Sequence, residues 1–141
     1  MFKEFSKKYN KILITGGSGF IGGNLISKLL KLTDCIIFNI DKMGYASDET
    51  SVNNFIKENN KDKYHLIKID LTNANEIDDA LKMIKPELVM HLAAESHVDR
   101  SIEGPKVFLE SNIMGTFNLL QSSLSYYTSS LISNKENFLF H

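Results

Sequence analysis

Apolar positions recur along the chain in two alternating rhythms. Short, nearly unbroken apolar runs at 11–15, 35–40, 64–69 and 88–92 predict strands covered on both faces. Between them lie stretches of helical spacing. Ile21, Leu25, Leu29 and Leu32, at steps of four, four and three, predict one buried face of a helix over 19–31. Val52, Phe55 and Ile56 predict a short helix facing inward, followed by a polar turn at 59–62. Asn73, with Glu76 three residues on, has the outline of a capping box. The helix it opens should bury Ile77, Leu81 and Ile84 and stop at Pro86. A longer helix beginning near Gly104-Pro105 should point Leu109, Ile113, Phe117, Leu120 and Leu124 inward, with Gly115 marking close packing. Residues 122–137 are serine-rich and read as a loop or frayed helix end, and 138–140 as the start of a fifth strand.

Strands alternating with helices imply right-handed βαβ crossovers. The expected fold class is therefore α/β, a Rossmann-like doubly wound parallel sheet, truncated after about its fifth strand. Residues 1–10 read as a polar lead-in without a role, and 11–141 as one Rossmann-like domain that stops mid-element.

The candidate chemistry begins at the first strand–helix junction. Gly17, Gly19 and Gly22 fit G-x-G-x-x-G, and Gly16, Gly19 and Gly22 fit an overlapping pattern. Glycine there permits a tight turn, approach of bare backbone to a diphosphate, and close helix–sheet packing. The unpaired N–H groups and dipole of the new helix favour an anion at that point. Asp41 stands 19 positions after Gly22, at the end of the second apolar run. A carboxylate so placed can accept from adenosine ribose hydroxyls and repel a 2′-phosphate, which favours NAD over NADP; the adjacent Lys42 could offset part of that repulsion. Asp70 either meets the adenine edge or caps the next helix. Small residues at Ala93 and Ala94 leave room for a cofactor beyond the fourth strand. His91 reads as a satisfied histidine near the core and His97 as a loop residue, and together they make a poor metal site. Tyr64-x-x-x-Lys68 spells a dehydrogenase pair but falls on a strand, where the two groups cannot cooperate, and is read as chance.

Composition narrows the partners. A net charge of −1 over 141 residues supplies no basic surface for nucleic acid. No apolar run approaches the ~18 residues of a membrane span. The single cysteine, Cys35, reads as a small buried hydrophobe, which fits a reducing cytoplasm.

One further run is narrower than the glycine motif: Ala93-Ala94-Glu95-Ser96-His97-Val98-Asp99-Arg100-Ser101-Ile102-Glu103-Gly104-Pro105. With the glycine turn and Asp41-Lys42, it resembles the dTDP-glucose 4,6-dehydratases of the extended short-chain dehydrogenase/reductase superfamily. The resemblance covers nearly everything from Lys11 onward. It implies NAD as cofactor, with Gly16, Gly19, Phe20, Ile21 and Gly22 around the pyrophosphate. It implies Asp41, Lys42, Met43 and Gly44 at the adenosine ribose, and Asp70 and Leu71 at adenine. Leu92, Ala93, Ala94, Glu95 and Ser96 would line the nicotinamide side, with Ser96 also near the sugar substrate. Ser111 stands where the family usually has Thr, and keeps a hydroxyl. Gly44 departs from a family Thr and has none.

The implied reaction withdraws hydride from the sugar's 4-position, eliminates water across positions 5 and 6, and returns hydride to position 6. The implied partners are dTDP-glucose and, at full length, a second copy in a homodimer. The family's Thr-Asp-Glu segment, catalytic Tyr-x-x-x-Lys pair and sugar-binding domain lie beyond residue 141. No catalytic residue is therefore assigned, and the chain is expected to be an inactive fragment. The rival readings are a nucleotide-sugar 4-epimerase of the same superfamily and a stand-alone NAD-binding module.

Overall fold

The computed structural model describes residues 2–48, 50–54, 56, 58–129, 131 and 135–141. Phe55, expected on an inward helix face, and part of the serine-rich segment lie outside them. Five parallel strands run in the order β3-β2-β1-β4-β5. They are β1 (Lys11–Thr15), β2 (Ile36–Asp41), β3 (Tyr64–Lys68), β4 (Leu88–His91) and β5 (Leu139–Phe140). The order reverses at β1, between β2 and β4, so the carboxyl end of β1 opens onto a crevice.

Each face of the sheet has its own apolar cluster. On one side α4 (Ala74–Ile84) and α7 (Gly115–Thr128) close over Leu13, Ile40 and Val89. On the other, α2 (Phe20–Leu32) closes over Ile12, Ile14 and Ile37. The segment read as a polar lead-in is in part the helix α1 (Phe2–Lys8), which delivers Phe5 and Tyr9 to that second cluster. Cys35 is buried there too, and its thiol donates to the Tyr9 carbonyl. Asn73 caps α4 by accepting the Glu76 N–H, while its own N–H is taken by the Asp70 carbonyl, so only half of the capping box forms. Ile77, Leu81 and Ile84 are buried as expected, and Lys85 ends the helix in the left-handed conformation just before Pro86.

Two expected helix faces are corrected. In α2, Ile21 is 68% exposed and Leu32 44%, and the inward face is Gly22, Gly23, Ile26, Leu29 and Leu30. The apolar spacing fits either face, and Gly22 decides it, because a Cβ there would run into the backbone of Gly16 and Gly17. The second correction is larger. The expected continuous helix consists of α6 (Pro105–Phe108), a π-helical stretch Leu109–Met114, and α7, preceded by α5 (Val98–Glu103). All five residues assigned inward, Leu109, Ile113, Phe117, Leu120 and Leu124, are 47–58% exposed. The buried face is Gly115, Leu119, Ser122, Ser123 and Tyr126. Helical order therefore continues through Thr128, well into the serine-rich stretch. The small side chains there are what let α7 approach α4 and the sheet. Gly115 does the same against Leu71, whose Cβ would lie 3.1 Å from an added methyl.

The reassigned face of α2 is directly testable. Ile26→Ala should lower unfolding stability by about 2–5 kcal/mol in urea titrations without cofactor, whereas Ile21→Ala should change it by less than about 0.5 kcal/mol.

Candidate cofactor site

The crevice at the end of β1 is open to solvent and has a cavity volume of about 110 Å³. Gly16, Gly19, Asp41, Lys42, Gly44, Asp70, Leu71, Leu92, Ala93, Ala94, Glu95 and Ser111 line it, bringing together most of the residues singled out in the sequence. Phe20, Ile21, Gly22, Met43 and Ser96 lie just outside the lining. Phe20 and Ile21 open α2 with exposed side chains, Gly22 packs behind the turn on Gly16 and Gly17, and Ser96 is exposed beyond Glu95.

The turn is built to present backbone. Gly16 has φ +70°, and a Cβ there would run into the backbone of Leu92 and Ala93, so the first and fourth strands can meet this closely only with hydrogen at that position. Three consecutive loop amides are spent internally. Gly17 N–H donates to Asn39 Oδ1 (2.9 Å), Ser18 N–H to Asp41 Oδ2 (3.0 Å) and Gly19 N–H to the Gly16 carbonyl (3.2 Å). Gly19 offers α2 no side-chain cap. The N–H groups of Phe20 and Ile21 thus open the helix without an acceptor among the described residues, the arrangement an anion satisfies.

Asp41 does more than wait for a ribose. Besides Ser18 N–H, it accepts from Met43 N–H and Ser47 Oγ, both at 2.9 Å, and is 7% exposed. It ties the glycine turn to the loop after β2 and holds Met43 at φ +57°. Its neighbour Lys42 turns across the crevice, with Nζ 2.6 Å from Glu95 Oε1 and 3.1 Å from Ser111 Oγ. The ammonium is thereby neutralised away from Asp41 and does little to offset its charge. Asp70 Oδ1 accepts from Thr72 N–H and Oγ1, so its side chain shapes the turn into α4 while the residue still lines the crevice.

The far wall is fixed from two directions. Asn112, in the π-helical stretch, clamps the Glu95 backbone through both its N–H (2.8 Å) and its carbonyl (2.9 Å). His91 bridges β1 and α7, with Nδ1 2.7 Å from Thr15 Oγ1 and Nε2 2.9 Å from Thr116 Oγ1. The Thr116 hydroxyl donates to the Asn112 carbonyl, so it must accept from Nε2–H, leaving Nδ1 as acceptor of the Thr15 proton. Thr15 Oγ1 in turn accepts from the N–H groups of Leu92 and Ala93. His91 is therefore a neutral Nε2–H tautomer within a saturated chain, the satisfied histidine expected from sequence.

Sequence reasoning missed Ser47, Tyr45, Asn112 and Asn39. Asn39 carried a signal, as an uncharged polar residue between apolar neighbours in β2. Tyr64, read as half of a chance motif, is on β3 as expected, yet its hydroxyl accepts from Asn39.

Fold and crevice define the chain as a dinucleotide-binding α/β domain of the extended short-chain dehydrogenase type. It matches the GDP-mannose 4,6 dehydratase family over residues 13–139 and belongs to that family. It is 44% identical over 131 residues to the dTDP-glucose 4,6-dehydratase of Salmonella typhimurium, covering 93% of this chain and 36% of the relative. Among solved structures it is similar to DesIV, a dTDP-glucose 4,6-dehydratase from Streptomyces venezuelae crystallised with NAD. The TM-score is 0.73 at 30% identity, over 82% of this chain and 36% of the other. A Thermus thermophilus UDP-glucose 4-epimerase in complex with NAD aligns with TM-score 0.67 at 26% identity, over 82% of this chain and 34% of the other. The chain thus spans a little over a third of the length of the relatives it matches.

The His91 chain predicts a pH dependence. Burial holds the imidazole below its ordinary value. Below about pH 6.5 the unfolded chain binds a proton that the folded one resists, so this contribution is present above that pH and is lost as pH falls towards the lowered folded value. Urea unfolding at pH 7.5 and 5.5 should show a smaller acid loss for His91→Gln than for the natural protein. Equal losses would remove His91 from the acid response.

Proposed function

We propose that this chain supplies the NAD-binding part of a nucleotide-sugar 4,6-dehydratase acting on dTDP-glucose. The observation that carries the reading is the pair of unsatisfied amides at Phe20 and Ile21, at the mouth of α2 beside the glycine turn that lines the crevice, with the nearly buried Asp41 carboxylate bonded to the same turn. The residues present fit the cofactor. The Gly16 turn leaves space a Cβ would fill, and the helix mouth offers N–H donors to a diphosphate. Asp41 keeps one acceptor position, on Oδ2, for a ribose hydroxyl beyond its three internal bonds, since a carboxylate can accept about four. Asp70 and Leu71 form the adenine wall, while Leu92, Ala93, Ala94 and Glu95 form the nicotinamide wall, with Ser96 at the sugar. Bound NAD would supply a reversible hydride acceptor. The chain's own residues bind it, orient it and hold its two ends apart.

The dehydratase is favoured over the epimerase by the Ala-Ala-Glu-Ser-His-Val-Asp-Arg-Ser run and by 44% sequence identity to a dTDP-glucose 4,6-dehydratase; in structural alignment the two classes lie close, DesIV at 30% and the epimerase at 26%. No helix among the described residues is long and apolar enough to cross a membrane, and a cytoplasmic location suits the buried thiol. The exposed stripe Leu109, Ile113, Phe117, Leu120 and Leu124 is read as the face on which a second copy packs. Its steps of four, four, three and four are those of a helix–helix seam, and a two-fold axis would set it against itself.

Calorimetric titration of the natural full-length protein should show NAD binding at least about ten-fold tighter than NADP. Asp41→Asn should weaken NAD by about ten-fold or more, as loss of a charge-assisted hydrogen bond requires. Unaltered NAD affinity in that variant would contradict the reading. In sedimentation equilibrium Phe117→Glu should shift the protein from dimer to monomer, and an unchanged dimer would place the interface elsewhere.

A further inference from the structure

Asn39 is fully buried in the middle of β2, between Ile14 of β1 and Leu66 of β3. A carboxamide left unpaired there would be destabilising. It is instead matched on both ends. Oδ1 accepts Gly17 N–H at 2.9 Å, and Nδ2 donates to Ser18 Oγ at 3.1 Å and to Tyr64 Oη at 3.0 Å. The orientation is unambiguous, because Gly17 N–H can meet only an acceptor.

The amide also explains Gly17. A Cβ at that position would collide with the Asn39 carboxamide and with Ile26. Side chain and glycine therefore interlock, and the turn cannot move outward without breaking the bond. A hydroxyl on the neighbouring strand holds the amide from behind. With Gly17 and Ser18 N–H drawn down onto β2, the chain enters α2 with the Phe20 and Ile21 amides left without an acceptor among the described residues.

We propose that Asn39, backed by Tyr64, is a positioning residue for cofactor binding that sets the glycine turn in its diphosphate-accepting shape. The inference rests on the NAD-binding reading above. It predicts a loss confined to ligands that carry a diphosphate. ADP and adenosine share the base and ribose and differ at the group Asn39 serves.

Dissociation constants for both should be measured on the natural full-length protein, on Asn39→Leu and on Tyr64→Phe. Asn39→Leu should weaken ADP by about ten-fold or more, equivalent to about 1.4 kcal/mol, and adenosine by less than about two-fold. Tyr64→Phe keeps Asn39 and the ring. It should show the same selectivity with a smaller loss, about three-fold for ADP, and it decides the matter if Asn39→Leu does not fold. Undiminished ADP binding in the folded variants, or equal losses for ADP and adenosine, would overturn the positioning role while leaving the NAD-binding reading intact. Failure of the natural protein itself to bind ADP would overturn both.

Discussion

The structure depends on a short set of hydrogen bonds between the second strand and the turn that leaves the first. Asn39 and Asp41, on alternate positions of β2, take the N–H groups of Gly17 and Ser18. These bonds decide the exit direction of the chain from β1, and so the direction of α2. They also decide which amides remain for a ligand. The site is a consequence of bonds that the protein has already made.

The same economy governs the opposite wall. Thr15, the last residue of β1, collects the amides of Leu92 and Ala93 and passes its own proton to His91, which passes one to Thr116. Asn112 holds Glu95 from the π-helical stretch, a distortion of a kind often found at functional positions. Both walls are therefore anchored to β1 or to a strand beside it. The crevice width follows from strand spacing more than from loop conformation. Lys42 reaches from one lip to the other, to Glu95 and Ser111, and Tyr45 meets His97 and Arg100 alongside it.

The fold was legible because its signals are local and redundant. Apolar runs, helical spacing, the half-formed capping box at Asn73 and the glycine turn all agree, and consistency of that kind marks an unfrustrated sequence. The crevice residues were legible because glycines and an acid at fixed spacing have few structural uses other than this one. What remained hidden was directional. Spacing shows that a helix has an apolar stripe but not whether the stripe meets its own core. In α7 the small residues Gly115, Ser122 and Ser123 face inward, and the large ones, Phe117 and Leu124, face out. The assumption that bulk lies inside fails where one helix must approach another closely. Asn39 was hidden for the opposite reason. A single polar residue in an apolar strand is normally discounted, and its value appears only when Gly17, Ser18 and Tyr64 are seen around it.

Amide hydrogen exchange along the glycine turn, with and without NAD, addresses the central claim most directly. Gly17 and Ser18 N–H should be protected already in the free protein, and Phe20 and Ile21 N–H should gain protection only when NAD is added. Rapid exchange at Gly17 and Ser18 in the free protein, or no gain at Phe20 and Ile21 with NAD saturating, would contradict the account.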